Sequence, residues 1–381
     1  MRVRRFMVLA LSAIGFGGVD AMAEEPRLNQ IQVIGSHNSY HLAPHPNVLG
    51  LIAVAGRDHA TGLEYTHKPL AEQFSELKIR QIELDVFADP DGGRYAEPSA
   101  RKILKGLGKD AGPDPNEGGI LNKPGLKVFH VQDIDYRSTA PTLVDALRQV
   151  RAWSKGHPRH VPILILLELK DGKIAALPTQ PAPFTKTELD GVDKEILSVF
   201  ERGEILTPDD VRGAFSTLPE AIQKRGWPKL SEVRGKVMFA LDNEGKHRTL
   251  YLEGHEALQD RLMFVSVPAK HPAAAWMKIN DAIGDYDRIV ESVRAGFIVR
   301  TRADANTVEA RKNDTNCRDK ALSSGAQFVS TDYAEPRPDF SPYHVRHAGG
   351  IAARSNPVSG DPSQAGVDLE GPVGNGNESS R

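Results

Sequence analysis

The stretch Ile79-Arg80-Gln81-Ile82-Glu83-Leu84-Asp85-Val86-Phe87 carries two patterns at once. Its apolar residues run almost without a break, as in a strand buried on both faces of a parallel sheet. Side chains alternate across a strand, so Glu83 and Asp85 share one face and Ile82, Leu84 and Val86 the other. Working outward, comparable apolar runs recur at residues 31–35, 126–131, 162–169, 236–241, 262–267, 296–300 and 326–330. Helical patterns lie between several of them. Leu143, Leu147, Val150 and Trp153 fall on one face, after Ser138 and Pro141 and before Gly156-His157-Pro158. Leu189, Val192, Ile196, Val199 and Phe200 make a second stripe, and a third helix is expected from Thr307 toward Ser324, with Gly325 as its stop. Strands alternating with helices over this length predict an α/β fold of the TIM-type (β/α)8 barrel class. An open doubly wound sheet is the alternative, but no strand is followed by a glycine-rich phosphate turn. The Asp/Gly/Pro-rich segment 88–125 stands as an irregular insertion where the second crossover belongs.

Composition narrows the function classes. Across 381 residues, 48 Lys+Arg against 50 Asp+Glu leave a net charge of −2, so no basic excess points to nucleic acid. Cys317 is the single cysteine, which excludes an internal disulfide and a cysteine zinc cluster. No apolar run reaches the ~20 residues of a membrane-spanning helix. The N-terminus reads as a cleaved signal peptide over 1–23: Arg2, Arg4 and Arg5, an apolar segment from Phe6 to Phe16, then Ala21-Met22-Ala23 before Glu24. A secreted or periplasmic protein is therefore expected, with the catalytic barrel at 24–346. Residues 347–381 are rich in Gly, Ser, Asn and Pro and are expected to form a disordered tail.

In a barrel, chemistry sits at the C-terminal ends of the strands. There the sequence places Ser36-His37-Asn38-Ser39-Tyr40, Glu83-Leu84-Asp85, Phe129-His130-Val131, Leu167-Glu168-Leu169-Lys170 and Arg300-Thr301-Arg302. Taken singly, each reads as structure or as a solvated face. Together they do not: two carboxylates facing a barrel mouth repel unless a cation or proton lies between them. With Asn38 and Glu168 nearby the ligands are all oxygens, which selects calcium or magnesium over zinc and leaves the histidines for proton transfer.

This combination resembles the catalytic barrel of calcium-dependent phosphoinositide-specific phospholipase C, in order, strand position and approximate spacing. The later segments Gly296–Arg302 and Gly325–Tyr333, including Ser330-Thr331-Asp332-Tyr333, are similar to the closing strands of bacterial secreted members. The resemblance implies His37 and His130 as the catalytic pair, with Asn38, Glu83, Asp85 and Glu168 as Ca2+ ligands. It implies attack by the inositol 2-hydroxyl on phosphorus, releasing diacylglycerol and an inositol (cyclic) phosphate by acid/base catalysis. The paired lysines that bind ring phosphates in eukaryotic enzymes have no match on the fifth strand, where Asp242-Asn243-Glu244 stands. Lys170, Arg300 and Arg302 are the candidates for substrate anion binding, and the gap favours plain phosphatidylinositol; Arg300 could equally be a structural ion-pair partner. The uncharged stretch Val48–Ala55 could meet a phospholipid membrane interface or pack as a crossover helix. Alternatives are a glycerophosphodiester phosphodiesterase, whose first motif would read His-Arg-Gly where this chain has His37-Asn38-Ser39, a sphingomyelinase D-like lyase, or a non-catalytic lipid-binding barrel.

Overall fold

The computed structural model describes residues 24–371. Eight parallel strands line the barrel in the order β1 (Ile31–Ser36), β2 (Gln81–Phe87), β4 (Ile163–Leu169), β5 (Val237–Leu241), β6 (Met263–Val265), β7 (Trp276–Lys278), β8 (Ile298–Arg302) and β9 (Phe328–Thr331), with β9 returning to β1. β6 and β7 meet only through the Ser266–Trp276 bridge, so the barrel is nearly closed. The (β/α)8 expectation holds. The apolar runs are continuous because both faces are covered: every residue of β1, β2 and β5 is buried, and in β4 only Glu168 is partly open.

Two strand expectations are corrected. Residues 126–131 do not enter the barrel. Only β3 (Lys127–Val128) is extended, and it pairs antiparallel with the end of β2 through Val86–Val128 and Phe87–Lys127. Its other edge is taken by Pro141 and Thr142, and the chain then turns back at Val131–Asp135, with Asp133 at φ 70°. The barrel position beside β2 falls to β4 instead, six residues of each being in register. The missing strand is β7, which is three residues long and lacks the β-branched signature.

The helices include α1 (Pro46–Ala55), α2 (Arg57–Gly62), α3 (Leu70–Ser75), α4 (Ser99–Gly106), α5 (Leu143–Gly156) and α6 (Lys186–Val199). α5 starts where Thr142 accepts the backbone N–H of Asp145, and it buries Leu143, Leu147, Val150 and Trp153. Each such side chain contributes roughly 1.5–3 kcal/mol by leaving water. The expected helix from Thr307 to Ser324 is broken in two, Val308–Lys312 and Asn316–Ser323, by Asn313 in the left-handed region at φ 52°. α1, α2 and α4 pack together over Val48, Ile52, Ala60, Ala100, Leu104 and Tyr136, so Val48–Ala55 and the 88–125 insertion share a small core.

The tail expectation is corrected for residues 347–371; 372–381 and the signal segment 1–23 lie outside the described residues. β1 meets β2 only at Gly35–Gln81, which leaves the edge of Ile31–Val33 bare. β10 (Ala353–Ser355) fills it antiparallel, pairing Ile31 with Ser355 and Val33 with Ala353. Beyond it Asn356, 3 % exposed, donates to the carbonyls of Ile31 and Gly325, and Glu370 pairs with Arg80 and accepts from the Val161 N–H. The polar composition of this strap serves backbone that would otherwise be buried unpaired. It stops the base of the barrel, opposite the strand ends that carry the chemistry. Among the described residues no helix is long and apolar enough to cross a membrane.

Candidate active site

At the end of β1 the backbone turns sharply through Asn38, at φ 44°, which asparagine tolerates better than most residues. Ser36 and Ser39 brace the turn: their hydroxyls lie 2.6 Å apart, the Ser36 hydroxyl also donates to Gln73, and the Ser39 hydroxyl accepts the Glu83 N–H. Ser39 N–H in turn donates to the Glu83 carbonyl, tying the first loop to β2. The Asn38 amide donates to the Tyr65 hydroxyl at 2.9 Å, which leaves its Oδ1 buried and without a partner.

β2 turns Glu83 and Asp85 into the mouth, and β4 adds Glu168. Ligand oxygens of these three lie within 4.8 Å of one another. Burial is the first cause that pushes Glu83 and Asp85 well above the usual carboxylate range, and neighbouring acids add to it: Asp242 and Asp85 act on Glu83, Glu168 on Asp85. Two cations oppose this. Arg300 pairs with Glu83, while Lys170 stands 3.1 Å from both Asp85 Oδ2 and Glu168 Oε1. Neither completes the site, because both Asp85 oxygens lack a hydrogen-bond partner in proper geometry. Three acidic side chains thus share two cations, and the Asp85 and Asn38 oxygens left without hydrogen-bond partners supply the all-oxygen donor set that a hard divalent cation requires.

The first histidine, His37, is held at both ring nitrogens. Its Nδ1–H donates to Asp332 Oδ1 at 2.8 Å, and its Nε2 accepts from Arg302 at 3.2 Å, with Glu83 Oε1 3.7 Å away. Burial and then the Arg302 charge lower its pKa to about 3, against the pull of Asp332, so this imidazole is neutral at ordinary pH. Burial opposes the charge of Asp332, but His37 and Arg302 outweigh it and hold that carboxyl below its usual range. Asp332 is positioned in turn by Asp304, which accepts its backbone N–H.

His130 follows β3 on the turn that the backbone pairing of Val131 with Asp135 closes. Its Nδ1 lies 2.7 Å from Asp135 Oδ2, and its side chain is one-quarter exposed. The rings of His37, Tyr65, His41 and His130 follow one another with centroids 6.4, 4.1 and 6.0 Å apart, so a chain of aromatic rings links the two expected catalytic histidines. The structure thus brings together His37, Asn38, Glu83, Asp85, Glu168 and Lys170, with His130 joined through Tyr65 and His41.

The anion-binding expectation changes for Arg300. It is 1 % exposed and both guanidinium ends are occupied, by Glu83 and by Asn280 Oδ1, so it compensates charge and does not face a ligand. Arg302, one-fifth exposed beside His37, keeps a surface toward the mouth. Several partners were not foreseen. Asp332 stands at the end of β9, a strand-end position that marks such residues, whereas Asp135 and His41 carry no periodic signal. Lys278 is another, its ammonium 2.6 Å from Asp242 Oδ2.

A parallel barrel whose strand ends gather a carboxylate cluster together with two aspartate-held imidazoles is the equipment of a metal-assisted phosphodiesterase. A solved structure of an apo calcium-dependent phosphoinositol-specific phospholipase C from a Gram-negative Pseudomonas species is similar at TM-score 0.50 and 17 % identity, over 86 % of this chain and 95 % of that one. The myo-inositol complex of the Pseudomonas enzyme is similar at TM-score 0.50 and 16 % identity, over 87 % and 96 %. A Ca2+-dependent phosphatidylinositol-specific enzyme from Streptomyces antibioticus gives TM-score 0.48 and 16 % identity, over 81 % and 95 %. At these identities the Pseudomonas likeness is one of fold. No curated protein matches the chain by sequence. Residues 26–357 match the family described as phosphoinositide phospholipase C, Ca2+-dependent, and the chain belongs to that family. It is a calcium-dependent phosphoric diester hydrolase of the phospholipase C kind.

Proposed function

We propose that this chain cleaves phosphatidylinositol at a membrane interface, with Asn38, Glu83, Asp85 and Glu168 holding calcium and His37 and His130 moving protons. The single observation that carries the ligand set is that Glu83, Asp85 and Glu168 converge to within 4.8 Å while both Asp85 oxygens, like Asn38 Oδ1 on the loop after β1, are buried without a hydrogen-bond partner. A calcium ion held by these four side chains would supply charge that lowers the pKa of the inositol 2-hydroxyl and offsets charge on the phosphoryl oxygens. His37, neutral and with its Nδ1–H fixed by Asp332, becomes the base that takes the 2-hydroxyl proton on Nε2 once Arg302, which donates to that nitrogen in the resting site, turns to the phosphate. The oxygen so freed bonds to phosphorus as the bond from phosphorus to the diacylglycerol oxygen breaks. His130, whose Nδ1 is held by Asp135, gives its Nε2 proton to that departing oxygen. Arg302 serves the phosphate, and Lys170 leaves Asp85 and Glu168 when their charge is met by the metal.

The membrane side of this reading rests on the α1–α4 cluster beside the mouth. It leaves Val54 88 %, Ile103 51 % and Leu107 60 % exposed, and α4 borders a cleft of about 700 Å3 whose lining mixes Arg101, Lys102, Lys105 and Lys109 with Glu97, Asp110 and Asp114. Exposed apolar side chains of this kind suit insertion into a lipid surface. The export reading, secreted or periplasmic, rests on the sequence of residues 1–23.

Phosphorus NMR of products from a panel of vesicles tests the whole reading: phosphatidylinositol, its ring-phosphorylated forms, phosphatidylcholine and sphingomyelin, each with calcium or with chelator. A cyclic inositol phosphate from phosphatidylinositol in calcium alone is expected. Full turnover in chelator, or products from choline lipids only, would overturn it.

A further inference from the structure

His41 lies wholly buried between two acceptors. Its Nδ1 is 3.1 Å from the Tyr65 carbonyl, and its Nε2 is 3.0 Å from each oxygen of Asp135. A neutral imidazole has one N–H, so it can satisfy only one of these acceptors and would aim a lone pair at the other. His41 therefore donates from both nitrogens and meets the Asp135 carboxylate with a positive charge. Burial alone would raise the Asp135 carboxyl; the His41 charge and the hydrogen bonds from His130 and His41 hold it well below its usual range. An ionised Asp135 has no hydrogen to give, so the 2.7 Å contact with His130 Nδ1 requires an N–H on that nitrogen.

We propose that His41 and Asp135 are positioning residues for His130: a buried His–Asp–His chain that fixes the hydrogen on Nδ1 and presents Nε2 to the reacting phosphodiester. This inference deepens the reading above and rests on His130 being the proton donor there. The chain is also anchored to the proposed metal site. His41 stacks on Tyr65 at 4.1 Å, and Tyr65 Oη accepts from Asn38, the amide whose other atom is left for the ion. The same backbone segment supplies His37, so one loop sets both imidazoles and one ligand. A carboxylate that orients an imidazole without itself gaining a proton is a familiar division of labour in acyl transfer; here a second imidazole keeps that carboxylate ionised although it is fully buried.

Asp135→Asn separates this from a merely structural role. An asparagine keeps the volume, but with its oxygen accepting from His41 it turns an N–H2 toward His130, which forces the His130 hydrogen onto Nε2. Nitrogen-15 NMR of labelled histidine should show the neutral form of His130 as the Nδ1–H tautomer in the parent, so that its acid form carries the transferable hydrogen on Nε2. In the variant it should show the Nε2–H tautomer, whose Nδ1 faces an N–H2 and cannot take the second hydrogen the acid form needs. The catalytic rate should fall by about 10²-fold or more, with calcium affinity and KM unchanged. His41→Gln, which can still donate to Asp135, should restore the Nδ1–H tautomer and lose less than tenfold. An unchanged His130 tautomer in Asp135→Asn, or a rate loss matched by lost calcium affinity, overturns the proposal. His130→Ala run alongside separates the two readings: parental activity there removes His130 as acid, while inactive His130→Ala beside active Asp135→Asn removes only the positioning chain.

Discussion

His37 and His130 divide the proton work because their surroundings differ. His37 is squeezed between Arg302 and Asp332 in a buried setting that favours the neutral ring. His130 is partly open and leans on a carboxylate. Substituting His37 with Ala should lower the catalytic rate by about 10²-fold or more. Asp332→Asn, which removes the negative charge that holds Nδ1–H and pairs with Arg302, should give a similar loss while calcium binding measured by calorimetry stays near the parent value. A parental rate in either variant would take His37 out of the chemistry. The carboxylates of this site were legible in the sequence because strand alternation puts Glu83 and Asp85 on one face and leaves only the mouth for them. Asp332 was legible as a strand-end residue but not as a partner. Asp135 and His41 were hidden, since a lone acid in a turn and a histidine past a strand mean nothing until a fold sets them 3.0 Å apart.

At the scale of elements, the legible features are those where one physical demand dominates. β4, buried on both faces, announces itself by Ile163-Leu164-Ile165-Leu166-Leu167. β7 does not, because three residues between a run of alanines and a loop carry too little pattern. The run at 126–131 is apolar because it covers the end of β2, which looks the same in sequence as a place in the barrel. The strap at 347–371 was hidden by its composition, since its contribution is hydrogen bonds to a bare strand edge and one ion pair. Glu370→Gln leaves Arg80, 2 % exposed, without its carboxylate and should destabilise the fold by about 3 kcal/mol in urea unfolding, with kcat unchanged at saturating substrate. A loss below about 0.5 kcal/mol would mean the strap is not fastened there. On the opposite rim, Val54→Glu should weaken turnover on phosphatidylinositol vesicles several-fold and leave turnover of a soluble short-chain analogue intact. Equal effects on both substrates would remove α1 from the membrane contact.

The whole molecule is set against acid by histidines that fold neutral. Burial, then Arg354, lowers His347 to about 3, and burial lowers His160 to about 4, both at the barrel base and away from the metal ligands. Between those values and about 6.5 the unfolded chain binds protons that the folded one refuses, so stability is intact above pH 6.5 and falls as pH drops toward 4. Each such histidine contributes up to about 1.4 kcal/mol per pH unit crossed. Thermal melts at stepped pH should show this decline, and His347→Gln should flatten it; a melting temperature constant from pH 7 to 4.5 would contradict the assignment. The same architecture separates tasks by end: the base holds the strap and these neutral histidines, and the mouth holds charge that the protein alone does not balance.

That imbalance is most directly probed by diffraction from crystals soaked in millimolar calcium, with the ion located by its anomalous signal. One calcium ion touching oxygens of Asn38, Glu83, Asp85 and Glu168, with the Lys170 ammonium moved off Asp85, is the predicted result. An ion bound elsewhere on the barrel, or the four side chains unliganded while Lys170 keeps its place, would contradict it.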